Sequence, residues 1–181
     1  MESKLCWHRA AELSGRVDFS FMRTLSKEHW QDHLYKSIQT SERLNRLYTP
    51  LPEPEVPYIR LIDKDYPALL AAHPFAPPVI YLEGNRELLH RPCLSVVGSR
   101  KSTWLGRQFA TRISQHGQKL GYAIVSGLAY GIDEAAHRGA LANTIGIMGQ
   151  GILTRRSGAR ARLSADIIRA GGLLISEFPP L

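Results

Sequence analysis

From Leu94 onward the apolar positions fall into short continuous runs, separated by stretches in which apolar residues recur at three- and four-residue spacing. Runs of the first kind are too short for helices and are bounded by Gly, Ser and Asn, which predicts strands at 94–98, 122–125, 144–148 and 173–176. The stretches between them predict helices near 104–119, 131–142 and 160–170. Strands that alternate with helices of this length give a parallel α/β sheet. Because the runs are apolar almost throughout, both faces of that sheet are expected to be covered.

Upstream the pattern is shorter and more broken. Tyr58-Ile59-Arg60-Leu61-Ile62 reads as a strand and residues 66–72 as a helix, while Val79 to Gly84 forms a second strand ended by Gly84-Asn85 turn chemistry. Residues 50–57 hold four prolines in eight positions, which neither a helix nor a central strand tolerates, so they read as a linker. Residues 1–49 read as a small region of short helices: Leu5 to Leu13, then Trp30, Leu34, Tyr35 and Ile38, then Leu44, Leu47 and Tyr48. The domain reading is therefore 1–49 helical, 50–57 linker and 58–181 α/β.

The 181 residues, 44% of them hydrophobic, suffice for one core. Cys6 and Cys93 form no CxxC pair, and no Cys/His cluster accompanies them. Neither a disulfide framework nor structural zinc is expected, and a reducing compartment fits. No apolar leader follows Met1 and no apolar run reaches membrane-spanning length, so the expected location is the cytoplasm.

Charge changes the picture more. The net charge is +7, yet residues 91–170 hold twelve Lys/Arg against three acids, and the rest of the chain holds eleven against thirteen. All the positive excess lies in the segment of alternating strands and helices, which points to a polyanionic partner, most simply nucleic acid.

The same segment carries two small-residue turns, Gly98-Ser99-Arg100-Lys101 after the first strand and Ser126-Gly127 after the second. Turns of this kind bring backbone N–H groups and helix N-termini to the carboxyl ends of parallel strands, where anions bind. Gly98, Ser99, Arg100, Lys101, Ser126 and Gly127 are therefore the candidate phosphate-binding residues. Arg100 stands where a dinucleotide fingerprint has its middle glycine, and no acid ends the second strand for a ribose, so NAD and FAD are disfavoured and no cofactor is expected. Arg100 reads either as a phosphodiester contact or as a local cap, and the adjacent Lys101 favours the first.

Ser102 and Thr103 suit a helix N-cap. Asp133 and His137, four apart, share a helix face. With no nucleophile elbow and no third metal ligand, capping and local hydrogen bonding account for them better than catalysis. Arg155, Arg156, Arg160 and Arg162 read as a solvated loop and helix face, or as the extension of an electropositive groove.

The strings Val96-Val97-Gly98-Ser99-Arg100-Lys101 and Val125-Ser126-Gly127-Leu128-Ala129-Tyr130-Gly131-Ile132-Asp133-Glu134-Ala135-Ala136-His137 resemble the bacterial DNA-processing protein A family (DprA, also called Smf). Asp65-Tyr66-Pro67, Pro77-Pro78-Val79-Ile80-Tyr81-Leu82-Glu83-Gly84, Thr144 to Gly149 and Leu174 to Pro180 support the likeness in matching order. It departs at Leu153-Thr154-Arg155-Arg156-Ser157-Gly158, where the family has an Asp- and Tyr-Pro-containing turn. The resemblance implies an extended Rossmann-like fold, doubly wound, that binds single-stranded DNA without chemistry, protects incoming strands in natural transformation and helps load RecA recombinase. Its phosphate turn falls on Gly98, Ser99 and Arg100, with Ser126 and Gly127 beside it. A homodimer is implied through a surface beyond Leu181, so this chain is expected not to form it.

The open alternatives are an enzyme, a Rossmann-like nucleoside-monophosphate phosphoribohydrolase, and a non-functional remnant of the DNA-binding family. In a doubly wound sheet the strand at 94–98 is expected in the centre, with 173–176 beside it on the other side. A chain ending at Leu181 then leaves the outer edge of 173–176 open and Leu174 and Ile175 uncovered, which predicts marginal stability and a tendency to associate.

Overall fold

A computed structural model describes residues 7–11, 23 and 53–180; the helices expected around 30–38 and 44–48 lie outside the described residues. Six strands form one mostly parallel sheet: β1 (Tyr58–Arg60), β2 (Val79–Gly84), β3 (Cys93–Ser95), β4 (Ala123–Ser126), β5 (Thr144–Met148) and β6 (Leu173–Ser176). The described helices are α1 (Trp7–Ala11), α2 (Ala68–Ala71), α3 (Trp104–Lys119), α4 (Ile132–Gly139) and α5 (Gly158–Ala170). None of them is long and apolar enough to cross a membrane.

The chain divides into two compact units, Met1–Tyr81 with Glu177–Pro180, and Leu82–Ser176. In the first, β1 runs antiparallel to β2, with Tyr58 opposite Tyr81. His8 of α1 is buried and shares a 2.8 Å hydrogen bond with the Tyr81 hydroxyl, and the Tyr58 hydroxyl donates to Glu53 at 2.7 Å.

The second unit contains the parallel ladder β3–β4–β5–β6. Consecutive residues of β4 and β6 are nearly all buried, as strands covered on both faces must be. The expected strand order needs correction. The sheet runs β1-β2-β6-β5-β4-β3, so β3 stands at an end and β6 lies beyond β5. The segment after β5 returns through α5 to the place next to β5, where Ile145 faces Leu173, rather than crossing back to β3. Nor is the outer edge of β6 open, because β2 occupies it, and beside it the Asn85 N–H donates to the Gly172 carbonyl at 3.0 Å. Leu174 is fully buried and Ile175 half-buried.

Local chemistry sets the helix ends. The Thr103 hydroxyl accepts the Gly106 N–H at 3.1 Å and caps α3. Gly171, left-handed at φ 92°, ends α5, and the next N–H, that of Gly172, reaches back to the Ile167 carbonyl at 2.8 Å. Helix α4 stops at Gly139, short of the expected 142, because Ala140 leaves helical geometry at φ −151° and a 3₁₀ turn follows over Leu141–Asn143.

Small residues let α3 and α4 approach closely over a core of Val96, Ala110, Ile124, Ala135, Ala136 and Ala140. The opposite side of α3 carries Leu105, Phe109 and Ile113 at four-residue spacing, 58%, 60% and 46% exposed. Phe109 and Ile113, with Leu94, Leu120 and Tyr122, line an open groove of about 540 Å³ beside β3.

The approach of α3 to α4 is tightest at Gly139, where an added Cβ would lie 2.6 Å from the Thr111 carbonyl oxygen. Gly139→Ala should therefore destabilise the fold by roughly 1–3 kcal/mol, the cost of forcing a methyl group into a packed contact. Urea unfolding of the variant checks this, with an unchanged midpoint counting against the packing described.

Candidate nucleic-acid interface

Two turns meet at the carboxyl ends of the parallel strands, the first after β3 and the second after β4. The β ladder ends early at the first one. Val96 N–H still donates to the Val125 carbonyl at 3.0 Å, but Gly98 N–H turns to Oδ1 of Asp133 at 3.2 Å. Oδ2 of the same carboxylate accepts Gly127 N–H at 3.2 Å. Asp133 sits in the first turn of α4 and is only 6% exposed. One side chain thus ties both turns to the start of a third element. The two N–H groups that sequence reasoning offered to a phosphate have their partner inside the protein.

Glycine is required at three points of this joint. A Cβ on Gly98 would lie 2.9 Å from the Ile132 side chain, and one on Gly127 the same distance from Asp133 Oδ2. Gly131 starts α4 at φ 85°, where a Cβ would meet the Ser99 carbonyl oxygen at van der Waals overlap. Leu128 is the exception: it adopts φ 57° with a full side chain, 4% exposed and packed over Gly146. Such a conformation costs about 1 kcal/mol and persists because its surroundings hold it.

The remaining candidates separate. Ser126 is 1% exposed and its hydroxyl donates to the Val96 carbonyl at 2.7 Å, so this side chain faces the interior. The Ser99 hydroxyl accepts Lys101 N–H at 3.1 Å and shapes the first turn. Arg100 lines a cavity of about 170 Å³ that also takes in Gly127, Leu128 and Ala129 of the second turn, Ile147 and Met148 at the end of β5 with Gly149 and Gln150 after it, and Arg156 and Arg160. Lys101, Arg155 and Arg162 are exposed and do not line it. Arg160 and Arg162 are two apart on α5, hence on opposite sides of the helix.

The arginines of the cavity are not equivalent. Arg100 and Arg160 are exposed and have no carboxylate within ion-pair distance among the described residues. Arg156 is mostly buried; one terminal nitrogen lies 2.8 Å from Glu83 and 3.4 Å from the Ile152 carbonyl, the other 3.7 Å from Met148 Sδ. Glu83 lies 73 positions from Arg156, and no local pattern could have paired them.

His137 is fully buried and shares a 2.7 Å hydrogen bond with the Thr144 hydroxyl, which donates in turn to the Ile124 carbonyl at 2.7 Å. Burial lowers its pKa to about 4, against the opposing pull of Asp133 and the Ser126 backbone. Asp133 and His137 therefore serve the interior, but through tertiary hydrogen bonds to other elements rather than the expected capping and local bonding: the helix start carries no side-chain cap, and Asp133 reaches Gly98, 35 positions away. No group of three His, Cys, Asp or Glu that could hold a metal occurs among the described residues.

Comparison with known proteins adds a family to this geometry. Residues 57–181 match the family model described as DNA recombination-mediator protein A. The protein Smf of Escherichia coli is 38% identical over 131 residues, which are 69% of this chain and 35% of that protein. DNA processing protein DprA of Streptococcus pneumoniae is 38% identical over 127 residues, 68% of this chain and 44% of that one. The chain thus spans between a third and a half of the length of these relatives. The X-ray structure of DprA from Streptococcus pneumoniae superimposes with a TM-score of 0.72 at 28% identity, over 95% of this chain and 68% of the other. DNA processing protein A of Helicobacter pylori, whose structure is described for its unique single-stranded DNA binding mode, gives a TM-score of 0.57 at 25% identity over 69% of this chain and 56% of that one.

The joint and the buried imidazole each carry an expected outcome. Asp133→Asn leaves one of the two N–H groups facing an amide donor and should cost about 1.5–3 kcal/mol in chemical denaturation. The folded chain keeps His137 neutral down to about pH 4, whereas an unfolded chain takes up the proton near the usual 6.5. Stability should therefore be undiminished by this group above pH 6.5 and fall by up to about 3 kcal/mol as pH drops to 4. Urea midpoints from pH 7 to 4 should show that slope in the wild type, and a shallower one in His137→Asn.

Proposed function

The chain belongs to the DNA recombination-mediator protein A family, and from that premise we propose that it binds single-stranded DNA at the cavity where Arg100, Arg156 and Arg160 meet the two glycine turns. The observation that carries the reading is this convergence. Three guanidinium groups from two loops and a helix line one small site at the carboxyl ends of the strands, with Leu128, Ile147 and Met148 supplying apolar wall. Charge-assisted contacts from arginine suit a phosphodiester, and the likeness to DNA processing protein A of Helicobacter pylori, whose structure is described for single-stranded DNA binding, supports a single strand as the ligand. Gly98, Ser99, Ser126 and Gly127 shape the turns in this reading, while Lys101, Arg155 and Arg162 extend the positive field around the cavity.

The binding involves no chemistry on the DNA. The inward engagement of Asp133 and His137 supports that, since neither is placed to meet a substrate. The further roles proposed follow the family: protection of incoming strands during transformation and their presentation to RecA, in the cytoplasm. Incubation with nucleoside monophosphates should release no free base, which separates this reading from the phosphoribohydrolase. NAD, FAD and ATP should show no micromolar affinity by calorimetry.

Fluorescence anisotropy with labelled oligo-dT tests the site directly. Arg100→Ala should weaken binding by about 1–3 kcal/mol, the range for losing a charge-assisted hydrogen bond. The logarithmic salt slope should become shallower by about one phosphate contact. Ser126→Ala should lower stability and leave affinity alone. An Arg100 variant with wild-type affinity and slope would return that residue to a structural role.

A further inference from the structure

We propose that Glu83 is a built-in rival for the DNA phosphate, which lowers the charge of the arginine cavity and sets how tightly a strand is held. The inference rests on the reading of the cavity as a phosphate site. Glu83 lies at the end of β2, and its carboxylate is 2.8 Å from the terminal nitrogen of Arg156. The Arg156 side chain is 17% exposed and that of Glu83 42%, so the pair is screened less than two fully solvated ions. A phosphate entering the cavity meets two uncommitted guanidinium groups and a third that already carries an anion.

Among the described residues no other acid does this. Between residues 91 and 170 the acids are Asp133, Glu134 and Asp166. Asp133 is buried against Gly98 and Gly127, Glu134 pairs with Arg138, and Asp166 pairs with Arg138 and Arg169. Among the described residues Glu83 is the one carboxylate within ion-pair distance of a cavity arginine.

Competition is distinguishable from placement. The Ile152 carbonyl at 3.4 Å and Met148 Sδ at 3.7 Å also flank the Arg156 guanidinium, so its position does not depend on the carboxylate alone. Glu83→Gln keeps a carbonyl acceptor for Arg156 and removes only the charge. If Glu83 competes, the variant binds DNA more tightly; if Glu83 merely orients Arg156, it binds more weakly.

Anisotropy titrations with labelled oligo-dT at several sodium chloride concentrations decide between them. Glu83→Gln should tighten binding about three- to tenfold at low salt and steepen the logarithmic salt slope by about one. Arg156→Ala should cost little in the wild type and much more in the Glu83→Gln background, so that the double variant loses the gain. Glu83→Ala, checked for folding by its thermal melt, serves if the glutamine variant does not fold and should also bind more tightly than wild type. Unchanged or weaker binding by these variants, with wild-type binding intact and Arg100→Ala impaired, overturns the role of Glu83 alone. A wild-type chain that binds no oligo-dT overturns the proposed function and this inference together.

Discussion

The Asp133 carboxylate is the constraint on which the site depends. It accepts N–H groups from Gly98 and Gly127, which belong to loops leaving two neighbouring strands, while its own backbone begins α4. A buried carboxylate is costly unless its oxygens are satisfied, and here each oxygen has a backbone donor, with the helix N-terminus adding a favourable field. The two loops are consequently fixed against each other. Arg100 follows Gly98 by two residues, and Leu128 and Ala129 follow Gly127, so the tie sets the relative position of two walls of the cavity. The interaction that organises the site is therefore one that faces the interior of the protein.

Much of the fold was legible because local rules agree with one another over long stretches. The strands at 79–84, 144–148 and 173–176 and the helix at 104–119 stand where the apolar pattern puts them, with Thr103 supplying the cap that Ser/Thr chemistry predicts. Strand order was not legible. The runs at β3 to β6 are similar short apolar segments, and nothing in a run says which neighbour it will pair with. The choice is made by contacts far apart in sequence, such as Ile145 opposite Leu173.

The site shows the same division. That Gly98, Gly127 and Arg100 gather at one place follows from two strand-to-helix turns in adjacent parallel strands. Which polar groups face out does not follow. Ser126 lies in a small-residue turn of the kind that cradles phosphate, yet its hydroxyl completes a hydrogen bond to Val96 in the core. Four arginines between 155 and 162 read as one patch, but Arg156 is held by Glu83, Arg160 lines the cavity unpaired among the described residues, and Arg155 and Arg162 are exposed outside it. A charge run states how much charge is present, while backbone geometry decides where each unit of it points.

The groove beside β3 gives this unit a second surface, largely apolar where the arginine cavity is charged. Counterion release would make the proposed hold of the cavity on a strand's phosphates weaken as sodium chloride rises. Phe109, Ile113 and Leu120 line the groove together with Arg112 and His116, and salts excluded from protein surfaces, such as sulfate, raise the free energy of leaving the apolar side chains wet. The identity of the salt, and not only its concentration, therefore bears on the two faces differently. Either salt screens the basic face, and an excluded one such as sulfate also raises the cost of leaving the apolar face wet.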